Sequence, residues 1–220
     1  MNQPLLKLCG NRSEQDVIES AASNATHLGF IFVQGTKRYV YPEQVKRWIN
    51  ATEPRQQLVG VFIEPTIEQL EVVLEFVPLD IIQLHGNETV SEVLKIKENF
   101  NLPVWKVVHH SKHGLDYMNL FHGAVDGYVI DSKVKGAYGG TGVSFDWEAI
   151  QDYQIEAKKQ GVPCLTAGGI TPENVHELLS YHPRGIDISS GTETEERKDP
   201  KKIKAIMEEV EQYDTSLSRR

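Results

Sequence analysis

Eight short apolar runs, each followed by a longer amphipathic stretch, repeat from one end of this chain to the other. The runs lie at residues 5–9, 28–33, 58–63, 81–84, 104–108, 127–131, 163–166 and 185–189. Short, nearly continuous apolar runs are the pattern of parallel strands covered on both faces. Spread over 220 residues, eight units take about 27 residues each, close to a minimal strand–helix repeat. The pattern therefore predicts an α/β fold, a closed (β/α)8 TIM barrel, as a single domain over residues 1–213. Residues 214–220 read as a frayed C-terminal tail. An open doubly wound sheet is the competing arrangement, and the count of eight favours the barrel.

The intervening stretches carry helix signals. Ser13 precedes a helix expected over 14–25, with Asp16 at its third position. Thr66 followed by Gln69 is a capping-box pattern. Thr171-Pro172 and Asp199-Pro200 each place a cap before a proline in the first turn. Asn99 to Pro103 closes another helix before the fifth strand.

Lys and Arg number 23 against 31 Asp and Glu, a formal charge of −8. So acidic a balance argues against nucleic-acid backbone binding as the main task. No apolar run approaches the ~18 residues needed to cross a bilayer. The first ten residues do not form a secretory signal. Two cysteines, Cys9 and Cys164, are too few for a disulfide scaffold. These features fit a cytoplasmic protein with reduced thiols, no membrane partner and no nucleic-acid partner.

In such a barrel the chemistry sits at the carboxyl ends of the strands. Those ends read Cys9-Gly10; Gly35-Thr36-Lys37-Arg38; Gln83-Leu84-His85-Gly86; Asp131, opening into a loop that contains Gly139-Gly140-Thr141-Gly142; Ala167-Gly168-Gly169; and Asp187-Ile188-Ser189-Ser190-Gly191. Gly168 and Gly169 after the seventh strand, with Ser190 and Gly191 after the eighth, let backbone N–H groups approach an anion. Adjacent strand ends of this kind predict a phosphate site; tight turning alone is the plainer reading of each glycine cluster.

Cys9 and Asp131 are the candidate acid–base pair, one group removing a carbon-bound proton and the other protonating a leaving oxygen. Packing for Cys9 and loop capping for Asp131 are the alternatives. Strand alternation puts Lys7 on the face of Cys9, one layer below it. A buried ammonium there needs a partner, with Asp131 and Asp187 the best placed, and it would favour a Cys9 thiolate. Arg38 has the planar fork to hold a carboxylate, although a solvated surface arginine is the plainer reading. His109, His110 and His113 fit no standard zinc spacing and read as exposed loop histidines; no metal is expected. Residues 136–142 lack the pattern of a P-loop or dinucleotide fingerprint and read as a lid. Cys164 reads as packing.

In combination and order, Lys7-Leu8-Cys9-Gly10, Leu28-Gly29-Phe30-Ile31-Phe32, Gln83-Leu84-His85-Gly86, Asp131-Ser132 with Gly139 to Gly142, Ala167-Gly168-Gly169 and Gly185 to Gly191 resemble phosphoribosylanthranilate isomerase. The resemblance runs from Lys7 to about Glu193. It implies an Amadori rearrangement in tryptophan biosynthesis, converting N-(5-phosphoribosyl)anthranilate to 1-(2-carboxyphenylamino)-1-deoxyribulose 5-phosphate. It implies Asp131 as general acid, Cys9 as general base, Arg38 on the anthranilate carboxylate, and Gly168, Gly169, Ser190 and Gly191 on the phosphate. Lys7, His85, Gly140 and Asp187 would support them. It implies no cofactor, a small phosphosugar as partner, and a monomer or homodimer. Where many members carry Ser-Pro-Arg, this chain has Thr36-Lys37-Arg38, so Lys37 competes with Arg38 for the carboxylate. A related phosphosugar barrel enzyme would carry an aspartate in place of Cys9, or a lysine–glutamate set. A non-catalytic phosphosugar-binding barrel would not need Cys9 and Asp131 together.

Overall fold

The expected strand pattern closes on itself. A computed structural model of the protein describes residues 4–131, 147 and 149–218. Eight parallel strands form a closed barrel in chain order: β1 (Leu5–Leu8), β2 (His27–Ile31), β3 (Gln57–Phe62), β4 (Ile81–Leu84), β5 (Val104–His109), β6 (Gly127–Asp131), β7 (Cys164–Ala167) and β8 (Gly185–Ile188). Helices α1 (Glu14–Ala21), α2 (Pro42–Thr52), α3 (Ile67–Phe76), α4 (Val90–Phe100), α5 (Gly114–Leu120), α6 (Ala149–Gln160), α7 (Val175–Ser180) and α8 (Pro200–Ser218) follow in alternation. A single-turn 3₁₀ helix, Ser190–Thr192, and a two-stranded antiparallel ribbon, β9 (Glu193–Thr194) and β10 (Arg197–Lys198), intervene between β8 and α8.

The register has a simple consequence. Lys7 pairs with His27, His27 with Gln57, Val59 with Ile81, Gln83 with Trp105, and Trp105 with Gly127. Val129 then pairs with Leu165, Ala167 with Asp187, and Asp187 with Lys7. Odd numbers meet odd numbers around the whole circle. Because side chains alternate along a strand, odd-numbered strand residues point into the barrel and even-numbered ones point to the helices. Val59, Ile81, Trp105, Val107, Val129 and Leu165 accordingly form the packed interior. Leu6, Leu8, Leu28, Phe30, Ile82, Leu84, Tyr128, Ile130 and Ile186 join the larger core under the helices. Cys164, with an even number, is buried in that outer core, where burial pushes its thiol up to about 12.

The helix starts follow local chemistry. Ser13 accepts from the Asp16 N–H, and Thr66 and Gln69 form the reciprocal capping box. Two expectations need correction. First, α1 ends at Ala21 rather than at residue 25. The chain turns so that Thr26 can exchange hydrogen bonds with the Leu6 backbone at 2.9 and 3.0 Å. Second, α7 does not begin at Pro172. Asn174 instead accepts from the Thr171 N–H at 2.8 Å and donates to the Gly169 carbonyl at 2.9 Å. A separate turn therefore stands between β7 and the helix. The boundary expected near residue 213 falls inside α8, which runs to Ser218. The expected lid at 136–142 lies outside the described residues.

Candidate active site

A cavity of about 220 Å³ opens at the carboxyl ends of the strands, lined among others by Cys9, Arg38, Gln83, His85, Asp131, Gly168, Gly169, Asp187, Ser190 and Gly191. Ser189 Oγ and Asp187 Oδ1 also face it, and neither is hydrogen bonded among the described residues. Buried polar atoms without such a partner call for an explanation, and at a cavity wall a ligand can supply one.

Cys9 stands one residue beyond β1, and its N–H still bonds the Ile188 carbonyl at 2.8 Å. One layer below, Lys7 is fully buried with its Nζ 2.8 Å from Asp187 Oδ2. Neighbouring strands make this pair, since β1 pairs with β8 at this residue. Asp131, the other partner considered for Lys7, is on β6. Burial works against the Lys7 ammonium, but Asp187, with Cys9, more than compensates, so Lys7 titrates above its ordinary value. For Cys9, burial dominates and Asp187 adds to it; Lys7 and Lys198 pull the other way, and the thiol ends above its ordinary value.

The sequence reading missed a second buried cation in this wall. Lys198 Nζ donates to the carbonyls of Cys9 (2.7 Å) and Ser189 (3.2 Å), to Thr192 Oγ1 (2.8 Å) and to Glu193 Oε1 (3.4 Å). It ties the ends of β1 and β8 together from beneath. Burial lowers its titration, against the opposing pull of Glu193. Glu193 is buried on the other side by Arg38, whose fork donates twice, Nε to Oε1 at 3.0 Å and Nη2 to Oε2 at 2.6 Å. Although burial alone would raise Glu193, Arg38 and Lys198 hold it below the usual carboxylate range. Arg38 is thus not a solvated surface residue. Its aliphatic stem lies over Gly10, where an added Cβ would come within 2.7 Å of Arg38 Cδ. Lys37, the rival for the carboxylate, is exposed and points toward Glu196 at 3.6 Å. Glu193 could have been suspected as a carboxylate inside a resembling segment. Lys198 carried no signal, because its burial depends on the ribbon folding back.

Asp131 ends β6 on the far side of the mouth from β1, since β8 and β7 lie between them on the shorter way around. His85 Nε2 and His109 Nδ1 approach its Oδ2 at 3.6 and 3.7 Å. His85 is steadied by its neighbours: Lys106 Nζ, buried and paired with Glu88 at 3.0 Å, donates to the carbonyls of Leu84 and Gly86. His110 turns away, its Nδ1 3.2 Å from the Tyr153 hydroxyl. His113 lies near Asp116 on the surface.

Gly168 and Gly169 take positive φ, 96° and 65°, a region that favours glycine. At Gly191 a Cβ would lie 1.7 Å from the Ile170 carbonyl oxygen, so only glycine lets the turn after β8 seat against the turn after β7. Gly140 lies outside the described residues.

Residues 6–209 match the family model described as N-(5'phosphoribosyl)anthranilate (PRA) isomerase. An N-(5'-phosphoribosyl)anthranilate isomerase of Geobacillus thermodenitrificans is 54% identical over 209 residues, 94% of each chain. The crystal structure of phosphoribosyl anthranilate isomerase from Thermotoga maritima superposes with a TM-score of 0.83 at 30% identity, covering 95% of this chain and 99% of that one. A phosphoribosyl anthranilate isomerase solved in complex with reduced 1-(o-carboxyphenylamino)-1-deoxyribulose 5-phosphate superposes at 0.80 with 28% identity, covering 95% and 99%.

Proposed function

This chain belongs to the N-(5'-phosphoribosyl)anthranilate isomerases, the aldose–ketose isomerases of tryptophan biosynthesis, and from that premise we propose that Asp131 is its general acid and Cys9 its general base. The observation that carries the reading is the placement of the two on opposite sides of one cavity mouth. A sugar held between them offers its ring oxygen to one and its C2 hydrogen to the other.

Asp131 as a carboxylic acid gives its proton to the furanose ring oxygen. The anthranilate nitrogen lone pair expels that oxygen from C1, and a Schiff base forms. Cys9 as a thiolate then takes the proton from C2, the C2–H electrons neutralise the iminium nitrogen, and an enolamine results. Loss of the C2 hydroxyl proton and protonation of C1 yield the ketone. Proton transfers of this kind contribute typically 10²–10⁴ in rate. Burial favours the Cys9 thiol over the thiolate. The productive arrangement holds the same number of protons as thiol with carboxylate, so substrate binding has only to move one proton. Lys7 and Lys198, which pull the Cys9 titration down, favour that move.

Arg38 receives the anthranilate carboxylate. It lines the cavity, whereas Lys37 faces outward. Glu193 uses two of its five donors, leaving others for substrate. Gly168, Gly169, Ser190 and Gly191 receive the phosphate through backbone N–H groups. The relative solved with a reduced product supports a ligand with a carboxylate at one end and a phosphate at the other. Lys7, Asp187 and His85 act as supporting residues.

The test is turnover of freshly made phosphoribosylanthranilate, followed by loss of anthranilate fluorescence, in wild type, Asp131→Asn and Cys9→Ala. Each variant is expected to lose at least ~10² in kcat with KM nearly unchanged. Near-normal turnover in either removes that residue from the mechanism.

A further inference from the structure

His85, His109 and Asp131, all odd-numbered, come from the ends of three consecutive strands, after β4, at the end of β5 and at the end of β6. Each offers one ligand atom, and the three atoms lie within 4.8 Å of one another. Among the described residues no other cluster of His, Cys, Asp and Glu converges in this way. Of the three histidines read as exposed loop residues, His109 instead ends β5 and takes part, with partners far away in sequence.

The geometry points to a binding site for one divalent transition-metal ion of the zinc class, whose occupation blocks turnover. The donor set is two imidazole nitrogens and one carboxylate oxygen, which suits zinc, cobalt or nickel rather than magnesium or calcium. In a tetrahedral zinc site with bonds of about 2.0–2.1 Å, neighbouring ligand atoms stand about 3.3 Å apart. Both histidine-to-Asp131 separations, 3.6 and 3.7 Å, are within a few tenths of that. The two rings, 5.4 Å apart between centroids and tilted by 42°, close on an ion by side-chain rotation. His109 is 55% exposed, so an ion enters without rearranging the barrel. Three protein ligands leave one position of a tetrahedral ion for water or another ligand.

Metal there holds Asp131 as a ligand and deprives it of its proton. The blocking of turnover rests on Asp131 as the acid; the binding does not. The two are therefore separable.

The experiment is titration of the full chain with Co²⁺ alone, followed by its visible d–d absorption, with Zn²⁺ as competitor. Turnover is measured in parallel. Wild type is expected to bind one equivalent. His109→Ala and His85→Ala are expected to weaken binding by about tenfold or more. His113→Ala, a loop histidine outside the cluster, and Cys9→Ser, which removes the nearest thiol in the cavity, are expected to bind within twofold of wild type. Zn²⁺ is expected to inhibit wild type, with His109→Ala needing at least about tenfold more for the same fractional inhibition. Unchanged affinity in His109→Ala, or loss of binding in Cys9→Ser, places the metal elsewhere and overturns the site. Tight binding at the three residues without loss of turnover overturns the inhibition.

Discussion

The two walls of the cavity are built on different principles. The wall of β1 and β8 is a stack of buried ions in close contact: Lys7 on Asp187 at 2.8 Å, and Lys198 and Arg38 sharing Glu193. The wall of β4, β5 and β6 presents titratable groups to the cavity at longer range, His85 and His109 near Asp131 at 3.6 and 3.7 Å, with its own close ion pair, Lys106 on Glu88 at 3.0 Å, set behind them. The first wall is held in one geometry by pairs that are costly to break. The second keeps the groups that face the cavity more exposed, which suits the proton donor proposed there, a group that must change state. In the proposed mechanism each wall supplies one proton-transfer group, Cys9 from the buried side as base and Asp131 from the more open side as acid.

The sharpest break in this comparison is a pair of matched substitutions. Asp187→Asn leaves the fully buried Lys7 ammonium without its counter-ion. The expected loss is about 3–5 kcal/mol in unfolding free energy. Glu193→Gln acts on Lys198 and Arg38 in the same direction, by a smaller amount because Arg38 reaches solvent. Asp131→Asn is expected to cost about 1 kcal/mol or less in stability while removing turnover. Urea unfolding of the three variants against wild type checks this. A destabilisation of Asp131→Asn equal to that of Asp187→Asn would erase the distinction between the walls.

Acid provides a second probe of the buried side. His27 pairs with Lys7 across β1 and β2, and its ring stands 5.1 Å from Trp105. Burial, helped by the Lys7 charge, lowers its titration from 6.5 to about 4. A histidine whose folded value is depressed binds more protons unfolded than folded between those two values. Its contribution is therefore present above pH 6.5 and is lost as pH falls toward 4, a change of about 3 kcal/mol. Unfolding free energies measured from pH 7 down to pH 4 should show this fall, and His27→Gln should flatten it. An equal fall in His27→Gln would assign the acid sensitivity to other groups.

The same comparison explains what could be read in advance. The barrel was legible because eight apolar runs each end where chemistry is expected. Cys9, Asp131 and the glycine turns stand at those ends, and strand alternation alone placed Lys7 beneath Cys9. Glu193 and Lys198 were not legible in their roles. A lysine five residues after a glutamate has no signature until β9 and β10 fold it under the ends of β1 and β8. The association of His85 with His109 was hidden for the opposite reason. Spacing rules look along the chain, and these rings meet across neighbouring strands. The end of α8 at Ser218 was not legible because a polar, charged end reads the same in a last helical turn as in a tail.

Arg38 belongs to the buried wall through Glu193, and the smallest predicted effect concerns its shape rather than its charge. Glu193 fixes the guanidinium by Nε and one Nη, which sets the plane in which its remaining donors would meet the substrate carboxylate proposed for it. Arg38→Lys keeps the positive charge but replaces a planar fork by a point donor on a flexible stem. A group that binds ground state and transition state alike changes KM and leaves kcat in place. The expected outcome is a rise in KM of about tenfold, the loss of about 1.4 kcal/mol of binding, with kcat within about twofold of wild type. Glu193→Gln should raise KM in the same sense by loosening the fork, and combining it with Arg38→Lys should add little, because both act on one interaction. Fully additive effects would mean that Glu193 acts on the substrate by a route that does not pass through Arg38.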